Sequence, residues 1–153
     1  CYDEPDKLGA DRWASLIGAH NIYRKDCLIA SLGTATTIDT LYSDGRFSGG
    51  IILPGFDLMK SSLSKTVPSL SVPDGRIVQL PRNTPDAIST GILIAVVGAV
   101  KELRSQITCQ RGVEPKVIFC GGHARRIAGA FKEQSVMHQH LVIDGLLKIG
   151  QLR

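Results

Sequence analysis

Residues 27–55 read CLIASLGTATTIDTLYSDGRFSGGIILPG, and this stretch decides the fold. Cys27-Leu-Ile-Ala opens an apolar, buried strand. It runs into Gly33-Thr34-Ala35-Thr36-Thr37 and resumes as Ile38–Tyr42. Ser43-Asp44-Gly45 is a turn, because Gly45 supplies positive φ at low cost. Phe47–Leu53 continues as a third antiparallel strand. Gly49-Gly50 within it points to close backbone approach by a neighbour or a ligand.

Working outward, residues 8–25 read as a helix with Trp13, Ala14, Leu16 and Ile17 on one face and Arg24-Lys25 at its C-terminal end. Pro54-Gly55 ends the third strand, and 56–65 is a helix with Phe56, Met59 and Leu63 together. Residues 67–81 hold three prolines and a glycine and read as a loop. Thr84 reads as an N-cap, with Pro85 at the first helical position. The helix it opens, 85–104, is apolar around much of its surface and is expected to be sandwiched between other elements. A strand at Lys116–Cys120, a helix near 124–132, a strand at 140–143 and a helix at 144–150 complete an α/β chain.

Composition narrows the function classes. Hydrophobic residues make up 43% and charged residues 21% of the 153, as in an ordinary globular domain. The net charge of +4 is dispersed and aromatics are only 5%, which argues against nucleic-acid binding as a primary role. The longest apolar stretch, Gly91–Val100, is too short to cross a bilayer. No signal-peptide pattern is visible, and the absence of an initiator Met reads as a fragment or processed product. Cys1, Cys27, Cys109 and Cys120 have no paired spacing, which fits a reduced, cytoplasmic protein.

Four segments could carry chemistry. Gly33–Thr37 can present backbone N–H groups and threonine hydroxyls to phosphate oxygens, or can equally be a plain β-hairpin. No Lys follows the glycine, so it is not a Walker loop. Gly121-Gly122 joins a strand to a helix N-terminus, which suits an anion or a nucleotide edge as well as it suits a tight turn. Gly9-Ala10-Asp11-Arg12 sets a carboxylate beside a guanidinium. Asp11 is either a first-turn helix residue or a general base, and Arg12 either a surface charge or an anion contact. His138 and His140 lack a third ligand at a recognised spacing, so no zinc site is read there.

These segments, in this order, resemble the type III pantothenate kinases, a group that includes the Bvg accessory factors within the actin/Hsp70/sugar-kinase superfamily. The matching residues are Tyr2, Asp3 and Pro5, Leu8-Gly-Ala-Asp-Arg-Trp13, Gly33-Thr-Ala-Thr-Thr-Ile-Asp39 and Asp44–Gly55. They continue through Leu58-Met59 with Ser62-Leu63, Asn83–Ser89, Gly91, Gly121-Gly122 with Ala124, and 141–150. The resemblance implies an α/β, ribonuclease H-like fold. Residues 1–26 would be an inter-domain, substrate-binding segment and residues 27–153 the second, C-terminal actin-like domain.

It also implies a homodimer that phosphorylates pantothenate with ATP, the first step of coenzyme A biosynthesis, using Mg²⁺ and a monovalent cation (K⁺ or NH₄⁺). By the same resemblance Asp11 is the catalytic base. Tyr2, Gly9 and Arg12 contact pantothenate, and Thr84 makes a contact that reaches the partner subunit's site. Gly33, Thr34 and Thr37 hold phosphates, while Gly121 and Gly122 lie on the adenosine side. Three positions depart from the family. Its first phosphate motif, an Asp and a Gly-Asn-Thr on an N-terminal hairpin, is not in this chain, which implies inactivity of these residues alone. Ser31 stands where many members carry a cation-associated Asp, and His123 stands where Asp often follows the glycine pair. The alternative reading is a protein of this fold that has lost kinase activity and serves as an accessory or regulatory factor.

Overall fold

The computed structural model describes residues 2–67 and 74–151. Its elements are α1 (Ala10–Tyr23), β1 (Cys27–Leu32), β2 (Ala35–Leu41), β3 (Phe47–Pro54), α2 (Phe56–Thr66) and α3 (Thr84–Arg111). There follow β4 (Lys116–Cys120), α4 (Ala124–Ala128), β5 (Ser135–Met137) and α5 (Leu141–Gly150). One five-stranded sheet runs β3-β2-β1-β4-β5. The three strands of the 27–55 stretch pair antiparallel, and β4 and β5 add in parallel beside β1.

Helices cover both faces of the sheet, which is why β1 and β4 are nearly continuous apolar runs. Leu28, Ala30 and Leu32 point to one side, where they meet Leu93, Val96 and Val100 of α3 and Ile127 of α4. Cys27 and Ile29 point to the other, against Leu16 and Ala19 of α1 and Leu141 of α5. Each Leu, Ile or Val side chain so withdrawn from water contributes about 1.5–3 kcal/mol.

Several expectations need correction. The 140–143 stretch is helical, not a strand: α5 starts at Leu141, whose side chain is buried on the same helical face as Gly145. The short fifth strand lies earlier, at Ser135–Met137, and its three residues are too few to show an alternation. Asn83 caps α3, its side chain accepting the Asp86 N–H at 2.9 Å, so Thr84 is the first helical residue. α3 runs on to Arg111, where Gly112 at φ 70° ends it in the left-handed conformation that glycine adopts cheaply. It is also not sandwiched: one face packs on the sheet while Ile94, on the other, is 62% exposed. Trp13 is 54% exposed although its neighbours Ala14 and Leu16 are buried. The first and fourth helices are shorter than read, at 10–23 and 124–128. Of the loop read at 67–81, residues 68–73 lie outside the described residues, as does Cys1.

Candidate functional site

β1 and β4 are parallel, so their C-terminal ends lie side by side, and crevices at such ends are where open α/β sheets bind ligands. At the end of β1, Gly33 and Thr34 alone form the link to β2. Ala35, Thr36 and Thr37 already pair with Leu53 and its neighbours on β3 or with β1, so the threonine run is mostly strand, not loop. The turn is braced from β3: Gly55 N–H donates to Thr34 O at 2.9 Å. A side chain at Gly55 would start 2.2 Å from Gly33 O, so no other residue fits there. At the end of β4, Gly121 adopts φ 92°, and His123 N–H donates back to Leu32 O at 3.1 Å.

The hydroxyl Oγ1 of Thr37 is buried and has no hydrogen-bond partner. Such a group costs about 1–3 kcal/mol unless something outside the chain satisfies it. Thr37 lines a cavity of about 360 Å³ together with Asp11, Ser31, Gly33, Thr34 and Gly121. The structure therefore brings Asp11, three of the phosphate-loop positions and one glycine of the pair to one place. Exposed backbone at Gly33-Thr34, the orphaned hydroxyl and the open space beside Gly122 fit the phosphates of a nucleotide. Ser31 Oγ lies 3.0 Å from the Sγ of Cys120, whose thiol pKa is pushed up by burial.

Asp11 is exposed in the first turn of α1. Gly9 caps that helix, and a side chain there would start 2.8 Å from Asp11 Oδ1, so the glycine keeps the carboxylate unobstructed. Arg12 is not a surface charge: it is 6% exposed, and its Nε donates to both carboxylate oxygens of Asp39 at 3.2 and 3.1 Å. Its Nη2 donates to Asp39 Oδ1 as well. The hydrogen bonds that it donates to Asp39 hold the guanidinium pKa above its ordinary value. Tyr2 and Phe47 flank the same guanidinium, with ring centres at 5.6 and 5.8 Å. Tyr2 opens on a second cavity, of about 490 Å³, with Leu8, Trp13 and Phe47. Thr84 is exposed at the start of α3 and lines neither cavity.

Two groups escape a sequence reading. Asp39 reads as a strand-end residue, yet it is mid-strand and 2% exposed. A lone carboxylate in a strand of buried residues, opposite Gly50, is the signal that finds it. His123 stacks on Phe56 at 5.8 Å and reaches Asp57 Oδ2 at 3.2 Å, while the Arg126 guanidinium lies over the Phe56 ring at 4.2 Å. His138 is committed elsewhere, between Tyr23 Oη and Asp144 Oδ2 at 2.7 Å each. Among the described residues, no group of three or more His, Cys, Asp or Glu side chains could hold a metal ion.

The family model for type III pantothenate kinase matches residues 1–106. A type III pantothenate kinase of Azoarcus sp. is 44% identical over 97% of this chain, and one of Aromatoleum aromaticum is 41% identical over 98%. The chain spans only 56% and 61% of the length of those two relatives. A Campylobacter jejuni crystal structure described as a Baf family transcriptional activator superposes with TM-score 0.75 at 26% identity, over 99% of this chain and 68% of its own. Component A of the (R)-2-hydroxyglutaryl-CoA dehydratase of Acidaminococcus fermentans shares the fold alone, at TM-score 0.51 and 14% identity over 90% of this chain and 64% of its own. The mixed α/β fold with its five-stranded sheet is that of the Campylobacter jejuni protein. With the match covering more than two-thirds of its residues and the Asp11 and Gly33–Thr37 segments meeting at one cavity, the chain belongs to the type III pantothenate kinase family.

Proposed function

We propose that this chain supplies the base and one phosphate loop of an ATP-dependent pantothenate kinase. The observation that carries the reading is the shared cavity of Asp11, Gly33, Thr34, Thr37 and Gly121. In the reaction, the pantothenate hydroxyl oxygen forms a bond to the γ-phosphorus of ATP. The bond from that phosphorus to the β,γ-bridging oxygen breaks, ADP leaves, and the hydroxyl proton passes to the Asp11 carboxylate. Thr37 Oγ1 and the Thr34 backbone N–H donate to phosphate oxygens, the Gly33 N–H being engaged by Ala35 O within the turn, and Gly121 and Gly122 lie on the adenosine side. Tyr2, Gly9 and Arg12 form the pantothenate side.

Mg²⁺ neutralises charge on the phosphates when bound, and a monovalent cation assists near Ser31. Among the described residues no group of three or more His, Cys, Asp or Glu side chains is available to either ion. Residues 1–26 act as the substrate segment and 27–153 as the second domain of a cytoplasmic enzyme, whose other phosphate motif comes from a preceding domain. A second copy of the chain covers the outer face of α3, where Ile77, Leu93, Ile94 and Val97 line an apolar groove of about 490 Å³, and Thr84 serves the partner's site.

The test is formation of 4′-phosphopantothenate from pantothenate and ATP by the full-length protein, lost in an Asp11→Asn variant. An accessory factor of the same fold, the second reading, gives no product under conditions where it binds nucleotide.

A further inference from the structure

The Arg12–Asp39 pair has a consequence beyond holding one side chain. The two residues are 27 positions apart in the chain and join α1 to β2 across the layer that also contains Leu16, Ile29, Leu41 and Ile118. Side chains two apart on a strand share a face, so Thr37 and Asp39 both point at α1. Asp11 and Arg12 are consecutive on that helix. The candidate base thus sits one residue before the helix end of the pair, and the orphaned hydroxyl sits one pleat before its strand end.

A buried ion pair is weak evidence for stability, because taking both charges out of water offsets most of their attraction. Its fork geometry, by contrast, fixes the rotation and the height of α1 over β2. The neighbours are shaped around it. Gly50 stands directly opposite Asp39 on β3, where a side chain would start 2.3 Å from Asp39 Oδ1. The rings of Tyr2 and Phe47, stacked at 6.0 Å, close the solvent side.

We infer that Asp39 is a positioning residue: through Arg12 it registers the helix bearing Asp11 against the strand bearing Thr37. This rests on the kinase reading of the site. Asp39 touches no substrate and donates or accepts no proton in the reaction. The phosphate turn is held separately, by the Gly55-to-Thr34 and His123-to-Leu32 hydrogen bonds, so loosening α1 leaves it in place.

The test is Asp39→Asn in the full-length protein, which keeps the shape and removes the charge. Misplacing the base by about 1 Å lowers kcat by about 100-fold, while KM for ATP stays within about twofold of the parent. A folded variant with parental kcat, measured well below its melting temperature, overturns the inference even if Tm has dropped. So does a proportional rise in KM for ATP. Amide hydrogen exchange keeps this separate from the kinase reading: residues 10–15 exchange at least about tenfold faster in the variant and residues 33–37 do not. If the parent forms no phosphopantothenate, the kinase reading fails and exchange decides the positioning role alone, with equal rates in both proteins overturning it. If Asn gives no folded protein, Arg12→Lys, which keeps the charges but not the fork, is read by the same exchange pattern.

Discussion

Gly145 of α5 lies directly against the carbonyl of Ala14 on α1: a side chain at Gly145 would start 1.8 Å from that oxygen. Gly18 makes the reciprocal approach, since a side chain there would start 2.5 Å from Leu141 O. The two helices therefore touch backbone to backbone, and α5 brings Val142 to the cavity that Asp11 and Ser15 line from α1. Gly145→Ala is expected to destabilise by about 1–3 kcal/mol or more, since backbone must move to admit the methyl. Gly91→Ala, in exposed helix with nothing within 4 Å, is expected to stabilise by about 0.5–1 kcal/mol. Urea denaturation of both variants checks the opposite signs.

Asp26 ties three elements at the far end of the sheet. Its carboxylate accepts from Ser43 N at 2.8 Å and from Arg111 Nε at 2.9 Å, and its carbonyl accepts from Lys116 N at 2.8 Å. Burial alone would raise its pKa, but the hydrogen bonds from Arg111 and Ser43 together leave it lowered. A lowered folded-state pKa means stability that is present above the unfolded value, near 3.9, and lost as pH falls through the folded one. Asp26→Asn should thus cost about 2 kcal/mol at pH 7 and progressively less as pH drops below about 4. A pH-independent difference in denaturation midpoint would contradict this.

Asp11→Asn in the full-length protein should preserve fold and pantothenate affinity while lowering kcat by about 10²–10⁴, the scale of a positioned general base. Steady-state kinetics and calorimetric titration of pantothenate read the two quantities separately. A kcat near the parent's removes Asp11 from the base role.

The apolar groove on α3 makes an oligomer the expected state. Ile94→Lys places a charge on its 62% exposed face and should shift a dimer towards monomer at micromolar concentration. Sedimentation of the parent as a monomer would rule out the second copy as the occupant.

How much of this was legible in the sequence depended on the range of the signal. The 27–55 stretch carried its strands and its turn because apolar runs broken by Ser43-Asp44-Gly45 are local statements. The 140–143 run failed because His-Leu-Val-Ile is apolar without a period; what makes it helical is the fit of Gly145 against Ala14, a contact from the other end of the chain. Thr84 lost the cap to Asn83 because both residue types suit it and only the bond to Asp86 decides. At the site, the glycines and threonines were visible as turn chemistry. Asp39 was not, since a carboxylate in a strand declares a partner without saying which of 18 basic side chains it is.

Thr37 offers the prediction that best separates a binding site from a well-packed hairpin. Its Oγ1 is buried without a partner, so the hydroxyl is a cost to the free protein and useful only when something accepts or donates to it. Thr37→Val keeps the branched shape that a strand favours and removes the polar atom. If the hydroxyl serves a phosphate, the variant unfolds at equal or higher urea concentration than the parent, by up to about 1 kcal/mol, yet binds ATP about tenfold more weakly. Thr37→Ser, which retains the hydroxyl, restores affinity but not the gain in stability. Loss of stability in the Val variant with ATP binding unchanged would mean that the hydroxyl is satisfied within the fold, and the phosphate role would pass to the Thr34 backbone N–H alone.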